Sequence, residues 1–479
     1  MKKHIKVLTV LSTAALMCAV TPAFCNNIPG FAITAQAAKA GWVEENGELR
    51  YKDSDGYYLT DSWKKKDGDW YYLNEDGHVA RSTMVDEYYV NETGRRVYNQ
   101  WITVANDDEW DDEAPETFYY YYGKDGKSVV SKWHSIDDNW YYFNSDGYME
   151  TGKLELDGFT YYLGDEDDGV MKTGWIQLEN ESEDPEEDLV WHYFDSKGRM
   201  VKNQVDRKID GHYYTFENGV LQTGWYKLPE QAAAAANAED NAANENAANE
   251  AGVATSSNAA AADDTAAAVS ADAPAIASYQ YYEADGKRGN GWYQMEGAPE
   301  ISEEGETFIF YIKNGRPYHA STGIQTFNVD SKRFGFNTKG ELQTGLQEVT
   351  LEEGGTANFY FGTDGVMKTG KQTIYNEEID ENQTWYFHTD GGSKGRGFHG
   401  IRDNSIYRNG LRLDADRDLR YAPAELDGVS YLVNAAGRIQ EASASSKSAA
   451  KPELGNGFKD IKDANDKVWT VDVNGVIQK

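Results

Sequence analysis

The chain has 479 residues, with 80 Asp and Glu against 46 Lys and Arg, a formal net charge of −34, and 33 Tyr, 13 Trp and 46 Gly. That charge excludes a nucleic-acid partner, whose phosphates demand a basic face, and the 13% aromatic content excludes an acidic disordered tail. What is left is an acidic β protein rich in Tyr and Gly.

The first residues read as an export signal: Lys2, Lys3 and Lys6 precede an apolar run from Val7 to Val20, and Ala35-Gln36-Ala37 offers a cleavage site. The run is too short to span a bilayer. Cys18 and Cys25 both lie in this segment, residues 1–37, so the exported chain is expected to have no thiol and no cysteine-bound metal.

Residues 38–230 form a first repeat block. Trp70-Tyr71-Tyr72-Leu73-Asn74-Glu75-Asp76-Gly77 returns as Trp140-Tyr141-Tyr142-Phe143-Asn144-Ser145-Asp146-Gly147, and 21 residues separate Gly56 from Gly77, Gly126 from Gly147 and Gly198 from Gly219. Each unit predicts a short aromatic strand, an Asn/Asp-Gly turn in which Gly supplies the positive φ, and a second short strand. So small a unit cannot bury a core alone, so neighbours must stack. Five residues before the turn Gly stands a nearly constant aromatic (Tyr51, Tyr72, Tyr142, Tyr193), expected to be the packing spine. Seven before it the residue varies freely, with Trp70, Glu87, Trp140 and Trp191, so a ligand contact would be chosen there. Acidic insertions such as residues 107–116 and 179–188 are expected at hairpin tips as solvated faces. Residues 165–169 are rich in oxygen donors but lack the spacing of an EF-hand loop, so no metal ligand is assigned.

Residues 231–278 shift to Ala, Asn, Asp and Ser and read as a flexible linker. A more degenerate repeat block follows at 279–440, with Gly335 at a spine position, then a Ser/Ala linker at 441–456 and an orphan repeat at 457–479. The expected architecture is all-β: a solenoid of stacked β-hairpin repeats in two blocks joined by the Ala-rich linker.

With Gly-Trp, Trp-Tyr-Tyr and Asp-Gly-x-Met-x-Thr-Gly in one register, most clearly at residues 133–152, 168–175, 218–225 and 364–370, the chain resembles the cell-wall-binding repeat family. Members include the choline-binding modules of Gram-positive surface proteins, and clostridial toxin and glucan-binding repeats are similar. The resemblance implies shallow pockets between hairpins in which two tryptophans and a tyrosine cage a quaternary ammonium by cation–π attraction, on the order of 0.5–2 kcal/mol per contact. Carried over residue by residue, it pairs Trp63 with Trp70 and Tyr89 or its neighbour Tyr88. It also pairs Trp133 with Trp140 and Tyr161 or Tyr162, and Trp175 with Trp191 and Tyr213 or Tyr214. Trp225 faces the Ala-rich linker, and Lys153 and Lys371 stand where the motif has Trp.

Repeats and linkers account for the chain nearly end to end, its histidines are scattered, and no HExxH, GxSxG or P-loop pattern occurs. The expected function is therefore that of a secreted, non-catalytic surface protein, without cofactor, that binds a cell-wall polymer, either choline-substituted teichoic acid or a related glycan. A spacer or adhesin engaging proteins is the alternative, and a disguised glycan-cleaving enzyme the third.

Overall fold

The structure, a computed structural model, describes residues 39–106, 116–165, 167–181, 188–229 and 273–479. The export signal and residues 231–272 of the expected linker lie outside them. Among the described residues there are thirty-seven strands, no α-helix and two 3₁₀ turns, Ala275–Ser278 and Pro452–Leu454. The chain divides into two units: Met1–Gly152 with Leu163–Val170, and Lys153–Tyr162 with Met171–Lys479. Each is a row of antiparallel hairpins, most of them isolated two- or three-stranded sheets.

The hairpins are built one step earlier in sequence than the Asn/Asp-Gly string suggests. Ser62–Lys66 pairs with Asp69–Leu73, and the connection is Asp67-Gly68, both at positive φ (54° and 100°), as a two-residue type I′ turn requires. The string ending at Gly77 makes a second turn. There Asn74 Oδ1 accepts the backbone N–H of His78 at 2.8 Å, Gly77 N–H donates to the Asn74 carbonyl at 2.9 Å, and the chain folds back so that Leu73 bridges Val79. Acidic segments join strands where the sequence places them: 297–306 links Gly291–Glu296 to Thr307–Lys313, and 377–380 links Gly370–Asn376 to Glu381–Phe387.

Stacking is carried by two devices. The first is the residue four before the turn Gly: Leu73, Val90, Tyr122, Phe143, Phe194, Tyr282, Phe336 and Phe361 are each at most 2% exposed. At these positions the core lies one residue beyond the expected spine, while Tyr121, Tyr214, Phe310 and Phe387, at spine positions themselves, are buried as expected. Tyr72, Tyr142 and Tyr193 are instead half-buried, on the other face of the strand, where each lies directly across the hairpin from a tryptophan: Trp63, Trp133 and Trp175 respectively. Alternation along a strand accounts for the shift. The second device is a backbone bond from just past one turn to the preceding hairpin: Arg96 N–H to the Trp70 carbonyl (2.9 Å), Ser128 to Glu87 (2.8 Å), Met149 to Tyr119 (2.7 Å) and Gly397 to Asn358 (2.8 Å). The freely varying position is thus tied down by its carbonyl, which every residue type owns.

The turn glycines have a further task. Gly198 has φ +76°, and a Cβ there would come within 2.4 Å of Met171 Sδ; Gly169 stands in the same relation to Met149, at 2.2 Å. Methionine after one turn lies in space that only glycine in the next turn leaves open. Gly198→Ala is expected to cost about 2–3 kcal/mol, from the left-handed backbone and from overpacking, and adding Met171→Ala should restore the overpacking share. Urea denaturation of the single and double variants checks this.

The strands on either side of the Ala-rich tract pair with each other. Gly224–Lys227 pairs with Tyr279–Tyr282, so the tract occupies the connection of one hairpin, the position the acidic insertions occupy in others. Its last residues fold onto their neighbours: Ile276 and Ala277 are buried, Ile276 against Tyr279, Ala298 and Trp225. The Ser/Ala stretch at 441–456 also folds onto its neighbours. Ser448 is buried and bonds Asp460, and Ala449 and Ala450 donate to the same carboxylate at 2.7 Å. In the degenerate region, the space a side chain at Gly335 would need is filled by the ring of Phe361, 2.7 Å from an added Cβ.

Where Lys153 replaces the motif tryptophan, the next hairpin contributes His192, which is buried with Nδ1 at 2.9 Å from the Gly219 carbonyl. A carbonyl only accepts, so this nitrogen carries the proton, and burial pushes the imidazole pKa below its ordinary value. The neutral ring stabilises the fold fully above about pH 6.5, and this contribution is lost as pH falls through the lowered folded value. The melting temperature should therefore drop on acidification from pH 7 by more in the wild type than in His192→Gln.

Candidate functional site

Four positions shape the groove between one hairpin and the next. The first is a tryptophan on the leading strand. The second lies on the return strand, two residues before the aromatic facing that tryptophan, and so shares its face. The third sits on the return strand of the following hairpin, and the fourth just past that hairpin's turn, held to the second by the backbone bond.

In one groove these positions are Trp101, Tyr119, Tyr141 and Met149. The Trp101 ring lies 5.1 Å from Tyr141 and 5.3 Å from Tyr121, both edge-on, and 5.6 Å from the buried Phe143. Together with Thr103, Asp167 and Asp168, the four line an open cleft of about 280 Å³. The Tyr119 hydroxyl donates to Asp167 Oδ1 at 2.8 Å, and this bond raises the tyrosine's pKa above its usual value. Aromatic faces, a thioether and two carboxylates around one opening suit a compact organic cation: the rings supply cation–π attraction without demanding hydrogen bonds, and the carboxylates supply charge.

Sequence reasoning missed this groove. Trp101 follows Gln100 instead of Gly, and the 107–115 insertion parts it from Tyr119. The signal was the register itself, since Tyr119 stands seven residues before Gly126.

The expected sites are placed as follows. Trp63 and Trp70 share a face, Trp63 lying opposite Tyr72 and Trp70 opposite Lys65, and the third ring is Tyr88, 5.4 Å from Trp63. Tyr89 points the other way and packs on Tyr122 at 5.9 Å, because adjacent strand residues face opposite sides. Trp133 lies 5.4 Å from Tyr142, and Trp140 is 47% exposed; both belong to the first unit, whereas Tyr161 lies on Phe159–Tyr162 of the second, half-buried and paired with Leu154. Trp175 and Trp191 meet edge-on at 6.5 Å. Their third partner is Tyr214, 4.8 Å from Trp175. Tyr213 is exposed on the opposite face beneath the Arg288 guanidinium, 4.7 Å from the ring.

Other grooves are filled from within. Leu49 packs beside Trp42 against Tyr71 and Val79. Trp225 meets Ile276 instead of open space, and its Nε1 donates to the Glu296 carbonyl at 2.9 Å. Trp292 lies against Phe334 at 4.7 Å, tilted, and stacks on Phe336 at 6.1 Å.

Residues 129–175 match the choline-binding repeat model, and residues 61–78 match a cell wall binding repeat. Glucosyltransferase-S of Streptococcus mutans is 27% identical over 214 residues, covering 39% of this chain and 13% of the relative; Glucosyltransferase-I of Streptococcus downei is 23% identical over 407 residues, covering 72% and 22%. The chain thus spans less than a quarter of the length of these relatives. Choline binding protein F of Streptococcus pneumoniae, solved with a peptidoglycan analogue, is 19% identical with a TM-score of 0.34, covering 69% of this chain and 99% of that one. In residues 61–78 and 129–175 the chain thus carries repeats that match the choline-binding, cell-wall-binding family models.

Proposed function

We propose that the protein is exported and holds a cell-wall polymer without cleaving it, through a quaternary ammonium substituent such as choline seated in the Trp101–Tyr119–Tyr141–Met149 cleft. The observation that carries this is the cleft's composition, three aromatic rings and a thioether lining one opening beside Asp167 and Asp168. The matched repeats favour the same ligand class. A neutral sugar would gain nothing from the two carboxylates except hydrogen bonds, whereas a cation gains their charge. A cleft of this kind binds weakly on its own; a polymer engaging several grooves of one chain gains through effective concentration. The Trp175–Trp191–Tyr214 groove is the second candidate contact.

The test is calorimetric titration of the full exported chain with choline and, in parallel, with glucan and peptidoglycan oligosaccharides, together with retention on isolated walls. Choline saturation supports the proposal; oligosaccharide binding without choline binding overturns the ligand. A spacer or adhesin role is the second reading, favoured by the grooves at Trp42 and Trp225 that the chain fills with its own aliphatic side chains; it prevails if neither ligand class nor walls are bound.

A further inference from the structure

The groove of Trp63, Trp70 and Tyr88 has the same plan as the Trp101 cleft, with two exchanges: Trp70 stands where Tyr119 stands in the other, and Arg96 at the fourth position, where the other has Met149. The Arg96 guanidinium carbon lies 4.6 Å from the centre of the Tyr88 ring, 4.8 Å from Tyr98, 5.7 Å from Trp63 and 5.8 Å from Trp70. Its Nε donates to the Tyr98 hydroxyl at 2.7 Å, and its backbone N–H fixes it to the Trp70 carbonyl at 2.9 Å. In a chain with a formal charge of −34, Arg96 makes no ion pair among the described residues. Arg288, at the equivalent place past another turn, behaves differently: it pairs with Asp206 and has only the Tyr213 ring beneath it.

We propose that Arg96 is a built-in occupant of a cation cage: its guanidinium takes the place an external cation would take, so the Trp63–Trp70–Tyr88 groove is closed to ligand and serves to join hairpins. Four rings around one half-buried cation that pairs with no carboxylate among the described residues are what distinguish it from an ordinary surface arginine. The fourth position then decides whether a groove with a full set of rings is open or shut. A methionine or leucine there leaves the rings free, and an arginine fills them.

Two measurements on the full chain test this. Without any ligand, the Arg96 side-chain proton resonances should show upfield ring-current shifts that diminish in Trp70→Ala; shifts at random-coil positions overturn the proposal whether or not any groove binds choline. With tetramethylammonium as probe, Arg96→Met should gain one binding equivalent over the wild type and should perturb the indole signals of Trp63 and Trp70, which stay unmoved in the wild type. Arg96→Leu repeats the test should Arg96→Met melt early. A folded variant of either kind with unchanged stoichiometry refutes the cage. Binding lost at the Trp101 cleft alone would instead count against the proposed function and leave this assignment standing.

Discussion

Phe143→Ala is expected to destabilise its part of the first unit by about 3–5 kcal/mol, the range for truncating a fully buried aromatic. Phe143 is wholly buried, packed with Tyr121, Val129, Ile136 and Met149 and flanked by Trp101. In a row of hairpins each element leans only on its neighbours, so the loss should appear as early local unfolding and not as a uniform shift. Hydrogen exchange would then show protection falling along Gln100–Ala105, Thr117–Tyr122 and Asn139–Phe143 first, with Leu432 and its surroundings in the second unit unaffected. A single cooperative transition displaced as a whole would contradict the nearest-neighbour account.

Removing the Tyr119 ring should weaken choline binding at the Trp101 cleft by about tenfold, or ~1.4 kcal/mol. Tyr119 is the cleaner target because Trp101 also covers Phe143, and its loss would damage the hairpin itself. Tyr119→Phe keeps the ring but frees Asp167, whose partner hydroxyl is gone, so most of the affinity should remain. Asp167→Asn with Asp168→Asn should weaken binding most at low salt and progressively less as ionic strength rises, since the carboxylates act through screened charge. Titration calorimetry of the four proteins at two salt concentrations measures all three effects. Equal affinity in Tyr119→Ala and wild type would remove the cleft from consideration.

Period, class and stacking were legible because they rest on quantities a sequence displays: the 21-residue spacing, turn glycines and aromatic alternation. Which face was core was harder to read. Tyr72 and Leu73 are both apolar neighbours, and only the pairing of Trp63 with Tyr72 shows that the tyrosine belongs to the groove while Leu73 is sealed. The same one-residue ambiguity left Tyr88 or Tyr89, and Tyr213 or Tyr214, open as third rings; it is Tyr88 that lies against Trp63 and Tyr214 that lies against Trp175. Composition marked the Ala-rich tract, but not that the strands flanking it pair with each other, Trp225 opposite Tyr281. Arg96 was invisible as a groove component because a lone arginine past a turn has no motif, and its meaning comes wholly from the rings around it.

The backbone hydrogen bond donated by Met149 to Tyr119, by Ser128 to Glu87 and by Arg96 to Trp70 makes cohesion of the row indifferent to which side chain occupies the accepting station. Lineages carrying such a row can therefore retune one station after another, swapping indole for acid or amide, while the mechanical continuity between modules is preserved. Recognition and assembly are written in separate atoms, and a single codon change can edit the former without rewriting the latter.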